Sequence, residues 1–181
     1  MSLAKPFNIE LWQPDPSNLD SDIAMLGDLL HDCVKAGAAV SFVLPFSRDE
    51  AARFWRNQVF TAVESGTCCV LVARCTGAIA GTVQFDLATP PNQPHRAEVK
   101  KLLVHPNERR NGIARALMLA LEDRARELGR TLLTLDTASA GAEQLYSSLG
   151  YVRVGVIPGY SRKPDSPELE GTTIMYKELN A

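Results

Sequence analysis

The run GIARALMLALEDRARELG, residues 112–129, limits the folds open to this chain more than any other stretch. Ile113, Leu117, Leu121, Ala125 and Leu128 recur three or four apart, which lines one face of an α-helix, and Gly129 follows as a C-terminal cap. A strand-like segment, AEVKKLLVHP, precedes this helix, and a short buried one, TLLTLDT, follows it. The first of these does not alternate cleanly: two lysines are followed by three aliphatics, as in a bulge or a strand buried on both faces.

The remaining segments supply packing partners. FNIELW reads as a strand, and LDSDIAMLGDLLHDCVKAG sets Ile23, Leu26, Leu29, Leu30, Cys33 and Val34 at helical spacing before Gly37. Ser47, three residues ahead of Glu50, has the spacing of a capping box and opens a second helix that stops at Gly66. TCCVLVARCTG and AIAGTVQFDLATP form a hairpin by their turn chemistry, AGAEQLYSSLG is a short helix, and YVRVGVIPGY and GTTIMYKEL are the last strands. The order β-α-α-β-β-β-α-β-α-β-β predicts an α/β (α+β) fold, a mixed sheet with helices on both faces. At 181 residues, without repeats or linker-like composition, residues 1–181 are expected to form a single domain.

Composition narrows the function classes. Nineteen Lys and Arg against 21 Asp and Glu give a net charge of −2, so bulk charge advertises neither nucleic acid nor an anionic membrane. No apolar run approaches the ~18 residues of a membrane span, and the N-terminus lacks a secretory apolar core, so a cytoplasmic location is expected. Cys33, Cys68, Cys69 and Cys75 have no metal-ligand spacing and read as reduced, small hydrophobes; no metal is expected.

Ahead of the long helix stands VHPNERRN. A helix N-terminus offers backbone N–H groups without intrahelical partners and the positive end of the macrodipole. Gly112 allows close approach, Arg109 and Arg110 add charge, and Ala114 keeps the first turn thin. Alone, the stretch fits both a phosphate cradle and an ordinary loop-to-helix junction. Neither G-x-x-x-x-G-K-[ST] nor G-x-G-x-x-G occurs, which removes the common nucleotide-binding alternatives.

Two motifs together decide further. VHPNERRNGIARALM resembles the acetyl-CoA motif [QR]-x-x-G-x-[GA] of the GNAT superfamily of N-acetyltransferases, and AEQLYSSLGYVRVG is similar to that superfamily's second signature, a tyrosine-bearing helix followed by L-G-[FY] and a strand. The resemblance covers nearly the whole element order and implies a mostly antiparallel central sheet. HRAEVKKLLVHP, LLTLDT and YVRVGVIPGY further resemble the tabtoxin-resistance branch. One departure stands out: the superfamily often has glycine where this chain has Arg110, so helical or extended backbone is expected there, since positive φ costs about 1 kcal/mol or more.

The resemblance implies an enzyme with acetyl-CoA as cosubstrate. Leu102, Leu103 and Val104 would pair with the pantetheine arm, and Arg109, Arg110, Asn111, Gly112, Ile113, Ala114 and Arg115 would hold the pyrophosphate. An alkylamine of pKa ~10 needs a base at neutral pH. Glu98 and Asp136 match acidic positions near the acceptor amine; the alternatives are a strand-start carboxylate paired with Lys100 or Arg96, and a turn acid. In AGAEQLYSSLG, Ala142, Leu145 and Leu149 form the predicted buried stripe, with Tyr146 one position off it; its counterpart lies by the coenzyme sulfur, as a proton donor to the thiolate. No cysteine or histidine pairing suggests a covalent relay, and His105, His31 and His95 carry no catalytic signal.

The acceptor groove implied by the resemblance uses GAAVSFVLPFSRDEAARFW and the last hairpin, with Ser41, Phe42, Tyr160 and Arg162 as wall or carboxylate-binding positions. A small amino-acid-like metabolite or toxin is the favoured acceptor, attacked directly in a ternary complex. A protein N-terminal or lysine acetyltransferase, or a non-catalytic acetyl-CoA-binding regulatory domain, are the rivals. A monomer or a homodimer is expected.

Overall fold

The computed structural model describes residues 6–180; the part of the leader expectation that rests on residues 1–5 lies outside them. The elements are β1 (Asn8–Leu11), α1 (Leu19–Lys35), α2 (Arg48–Phe54), a π-helical turn (Trp55–Phe60), α3 (Thr61–Glu64), β2 (Cys68–Cys75), β3 (Ala78–Asp86), β4 (Arg96–Val104), a 3-10 turn (Pro106–Glu108), α4 (Ile113–Glu127), β5 (Leu132–Thr137), α5 (Ala140–Ser148), β6 (Val152–Arg162) and β7 (Leu169–Glu178). The order matches the sequence reading once α2, the π turn and α3 are taken as one widened helix.

Local signals act as their chemistry requires. Ser47 and Glu50 close a reciprocal capping box at the start of α2, with Ser47 N–H donating to Glu50 Oε2 at 2.8 Å. Thr76 (φ 49°) and Gly77 (φ 87°) form the two-residue turn joining β2 to β3, both in the left-handed region that a tight hairpin needs.

The strands form one sheet in the order β1-β2-β3-β4-β5-β7-β6, and every neighbouring pair is antiparallel except β4 and β5. Helices cover both faces, so β2 is almost continuously buried: Leu71, Ala73 and Cys75 join the core beneath α4, while Cys68, Val70 and Val72 join the core beneath α1 and α2. All six apolar positions read on α1 are buried. On α4, Ile113, Leu117, Leu121 and Ala125 are buried, each of the larger ones worth about 1.5–3 kcal/mol. Leu128 is exposed, because it stands at the cap where the chain leaves the sheet.

α5 corrects the predicted stripe. Leu149 is buried as predicted, but Tyr146 is buried as well, whereas Ala142 and Leu145 are only half-buried. The helix is rolled toward Tyr151, whose ring centroid lies 5.6 Å from that of Tyr146, so the aromatic pair takes the inward position.

Candidate active site

β4 and β5 pair only at Arg96–Leu132, Ala97–Leu133 and Glu98–Thr134. Beyond this the strands separate: β4 continues against β3 alone, and Leu135 to Thr137 continue against β7 alone. The edge of β4 at Leu102, Leu103 and Val104 therefore faces a gap in the sheet, where an extended ligand arm could add as a strand. The Val104 carbonyl already accepts from Arg109 Nε at 3.3 Å and Cys33 Sγ at 3.5 Å.

The reason for the irregular lysine-lysine pattern lies in the same strand. Lys100 opposes Gln84 and Leu103 opposes Thr82, so Lys101 and Leu102 together oppose Val83, a bulge with Lys101 at φ 51°. The extra residue puts both lysines toward α1 and α2, and afterwards Leu103 packs into that same core while Leu102 and Val104 pack toward α4.

At the end of β4 the 3-10 turn is fixed by His105, whose carbonyl accepts from Glu108 N–H and whose Nδ1 accepts from Asn107 N–H. His105 Nε2 lies 3.4 Å from Asp32 Oδ2, which fastens the loop to α1, so this histidine is structural as expected. His31 Nδ1 lies 3.0 Å from the Phe46 carbonyl, a similar loop-holding contact.

Arg110 departs from the expected backbone: its φ is 68°. The loop must reverse between extended Arg109 and Gly112 (φ 83°), and a left-handed residue on each side of Asn111 accomplishes that in three residues. The strain of about 1–2 kcal/mol at Arg110 buys a concave run of backbone N–H groups. Gly112 caps α4 without a side-chain bond, the first turn holds no acidic residue, and the space a Cβ would enter at Gly112 is open to 4 Å. Arg109, Arg110 and Arg115 are exposed around it, with Arg115 hydrogen-bonded to Ser148 Oγ, and Asn111 and Ala114 are half-buried. Uncapped N–H groups, open space and three guanidinium groups suit a pyrophosphate.

Asp136, at the exposed end of β5, accepts from Thr172 Oγ1 at 2.8 Å. Its charge, together with the larger effect of burial, holds the Tyr146 phenol well above its ordinary pKa, so the proton stays on the hydroxyl. Glu98 sits two rows back, where β4 and β5 still pair, with Lys100 Nζ at 3.8 Å. Asp136 and Tyr146 thus share the open end of the cleft, while Glu98 has the lysine neighbour that the bland reading of it anticipated.

Lys101 is the side chain that sequence reading missed. Its Nζ donates to Ser41 Oγ at 3.0 Å and lies 5.6 and 5.9 Å from the ring centroids of Phe42 and Phe54. Burial, then the charge of Lys100, lower its pKa, while Asp136 acts in the opposite direction. Lysine in a polar-looking doublet carries no sequence mark of such an environment; the broken alternation was the only signal. Of the four acceptor positions, Ser41 and Phe42 gather here. Tyr160 remains 54% exposed on β6, and Arg162 donates to the Ser166 carbonyl within its own hairpin. The two loops do meet, since Leu44 N–H donates to the Pro164 carbonyl at 2.7 Å.

Cys33 comes unexpectedly near the cleft, but burial pushes its thiol up to about 11 despite Arg109, which keeps it a poor nucleophile. A hollow of about 450 Å³ lies elsewhere, between β1, β2 and residues 60–66; its lining is mostly apolar, with Glu64 as its carboxylate. Among the described residues no cluster of three or more His, Cys, Asp or Glu side chains is placed to hold a metal, and no helix is long and apolar enough to cross a membrane.

Comparison with known proteins agrees with this geometry. The profile of the acetyltransferase (GNAT) family matches residues 34–151. An uncharacterised N-acetyltransferase from the hisH–hisA intergenic region of Azospirillum brasilense is 34% identical over 125 residues, which span 68% of this chain and 72% of that protein. The fold is shared with an N-acetyltransferase of Staphylococcus aureus Mu50 (TM-score 0.79, 17% identity, 97% of this chain and 99% of that one). It is also shared with yncA of Salmonella typhimurium, solved with its cofactor acetyl-CoA (TM-score 0.75, 20% identity, 96% and 94% covered).

Proposed function

The chain belongs to the GNAT family of acetyltransferases and is an acetyl-CoA-dependent N-acetyltransferase, and from that premise we propose that it acetylates the primary amine of a small amino-acid-like metabolite or toxin by direct attack in a ternary complex. The observation that carries the small-acceptor reading is the Leu44–Pro164 backbone hydrogen bond, which joins the α1–α2 connection to the last hairpin and roofs the acceptor side. A protein tail would need that side open. The likeness of HRAEVKKLLVHP, LLTLDT and YVRVGVIPGY to the tabtoxin-resistance branch supports the same class of acceptor.

Acetyl-CoA supplies an activated thioester and a thiolate leaving group. Arg109 to Arg115 hold its pyrophosphate through backbone N–H groups and guanidinium charge, and Leu102 to Val104 align the pantetheine arm and aim a backbone N–H at the thioester oxygen. Asp136 accepts the proton of the attacking amine, with Thr172 fixing the orientation of the carboxylate. Glu98 contributes negative potential that attracts a cationic amine from the floor of the cleft. Tyr146, its phenol held protonated by burial and the Asp136 charge, hydrogen-bonds the developing thiolate and passes it a proton, which the proton taken from the amine by Asp136 replaces. One domain spanning residues 1–181, acting in the cytoplasm as a monomer or homodimer, is part of this reading.

The test is thiol release from acetyl-CoA across amines, amino acids and peptides. Release with small amines or amino acids supports the reading. Release with peptides alone would move it to a protein acetyltransferase, and tight coenzyme binding without release would move it to a regulatory domain.

A further inference from the structure

Two lysines stand side by side at the bulge, and only one has a carboxylate. Lys100 Nζ donates to Asp86 Oδ2 at 2.9 Å and lies 3.8 Å from Glu98. Lys101, among the described residues, has no carboxylate within ion-pair distance; it has Ser41 Oγ and two phenylalanine rings. An ammonium carries three donor protons, and Ser41 takes one. The rings attract the charge without accepting the remaining protons as a carboxylate would. Because Ser41 Oγ accepts from Lys101, its own hydroxyl proton is free to point elsewhere.

Both residues are held in unfavourable backbone, Lys101 at φ 51° and Ser41 at φ 76°, on segments 60 residues apart in sequence. Such strain persists only where the surrounding structure fixes it. Across the cleft, Asp136 is near enough for its charge to act on Lys101 without pairing with it. The acceptor side therefore presents a separated positive and negative end, the complement of a zwitterion.

Resting on the reading of the cleft as an amine-acetylation site, we propose that Lys101 Nζ and Ser41 Oγ bind a carboxylate of the acceptor, which is an amino acid or amino-acid-like compound whose amine faces Asp136. Phe42 and Phe54 keep water from the ion pair and hold the lysine stem. An acceptor without the carboxylate leaves Lys101 half-satisfied and is discriminated against accordingly.

The experiment compares free amino acids with their carboxamides, and with the amines left when the carboxylate is removed, using wild type, Lys101→Met and Lys101→Arg. Met keeps the stem packing and Arg keeps the charge. For wild type, kcat/KM with the best amino acid should exceed that with its carboxamide by at least tenfold. Lys101→Met should raise KM for the acid tenfold or more, leave the carboxamide within twofold, and leave acetyl-CoA KM unchanged; Lys101→Arg should restore part of the preference. Calorimetric titration of the same acid and carboxamide into the coenzyme A-loaded protein should show the same difference without turnover. Equal wild-type use of acid and carboxamide overturns the carboxylate site while leaving amine acetylation standing. So does an equal kcat loss on both in Lys101→Met, which would assign the lysine to the chemistry. Absence of turnover with every amine removes the underlying reading as well.

Discussion

Thr172 Oγ1 on β7 donates a 2.8 Å hydrogen bond to Asp136 Oδ2 on β5, from a side chain that is itself 1% exposed. The bond fixes one carboxylate oxygen and leaves the other for the cleft. Among the described residues Glu98 has no such hydrogen bond; its neighbour is Lys100 Nζ at 3.8 Å, which donates instead to Asp86. Asp136→Asn is expected to lower kcat by about 10²–10⁴, the usual worth of a general base, and Glu98→Gln by less than tenfold. Steady-state thiol release at saturating acetyl-CoA measures both, and the reverse ranking would exchange the two roles.

Tyr146→Phe should lower kcat while acetyl-CoA KM stays within about twofold, because the hydroxyl is asked to act on the leaving sulfur and the cradle is elsewhere. Burial and Asp136 both raise the phenol pKa, so its proton is retained below and well past the ordinary value of ~10. The kcat profile should show no alkaline decline before pH ~10. An earlier decline that disappears in Tyr146→Phe would contradict this.

Arg110→Gly and Arg110→Ala remove the same charge, so their difference isolates the backbone. At φ 68° glycine is at ease and alanine is not; Arg110→Gly should be more stable by about 1 kcal/mol, or ~2–4 °C in Tm. Both should weaken acetyl-CoA binding to a similar degree. Equal melting temperatures would mean that the loop relaxes out of the left-handed conformation.

Gly81 lies under the start of α4. A Cβ there would stand 2.9 Å from Ile113 Cγ2, 3.0 Å from the Leu103 carbonyl and 3.2 Å from Leu117 Cδ1. Gly81→Ala should therefore cost about 1–3 kcal/mol and raise acetyl-CoA KM, since the helix that carries the cradle must lift from the sheet. Denaturant unfolding and coenzyme titration test the two effects separately.

Cys33 and Cys68, with thiols pushed up to about 11 and about 12 by burial, should resist alkylation of the native protein at pH 8 and react fully after unfolding. Mass spectrometry of the labelled peptides provides the reading. Rapid native labelling of Cys33, accompanied by loss of turnover, would reopen a covalent relay.

Features governed by local chemistry were legible in the sequence: the Ser47–Glu50 box, the Thr76–Gly77 turn, and the apolar faces of α1 and α4 are each settled within a few residues. The positions of Glu98, Asp136 and Tyr146 followed from motif resemblance. Arg110 was misjudged because local preference disfavours what the loop as a whole requires. The inward turn of Tyr146 depends on Tyr151, and the environment of Lys101 depends on Ser41, Phe42 and Phe54. Such contacts are made by packing distant segments together, and no pattern within one segment records them.

The bulge in β4 also acts as a parity device. Ala97 and Val99 point toward α4, and so do Leu102 and Val104, although an uninterrupted strand would send residues an odd number apart to opposite faces. Flattening the bulge with Lys101 kept in the strand would turn every later side chain over, placing Leu103 toward α4 and Leu102 toward α1, whereas deleting Lys101 would restore regular pleating and leave Leu102, Leu103 and Val104 on the faces they now occupy. The basic side chain thus stands outside the strand's alternation: removing its place in the chain would take away its chemistry and leave both halves of the cleft on their present faces.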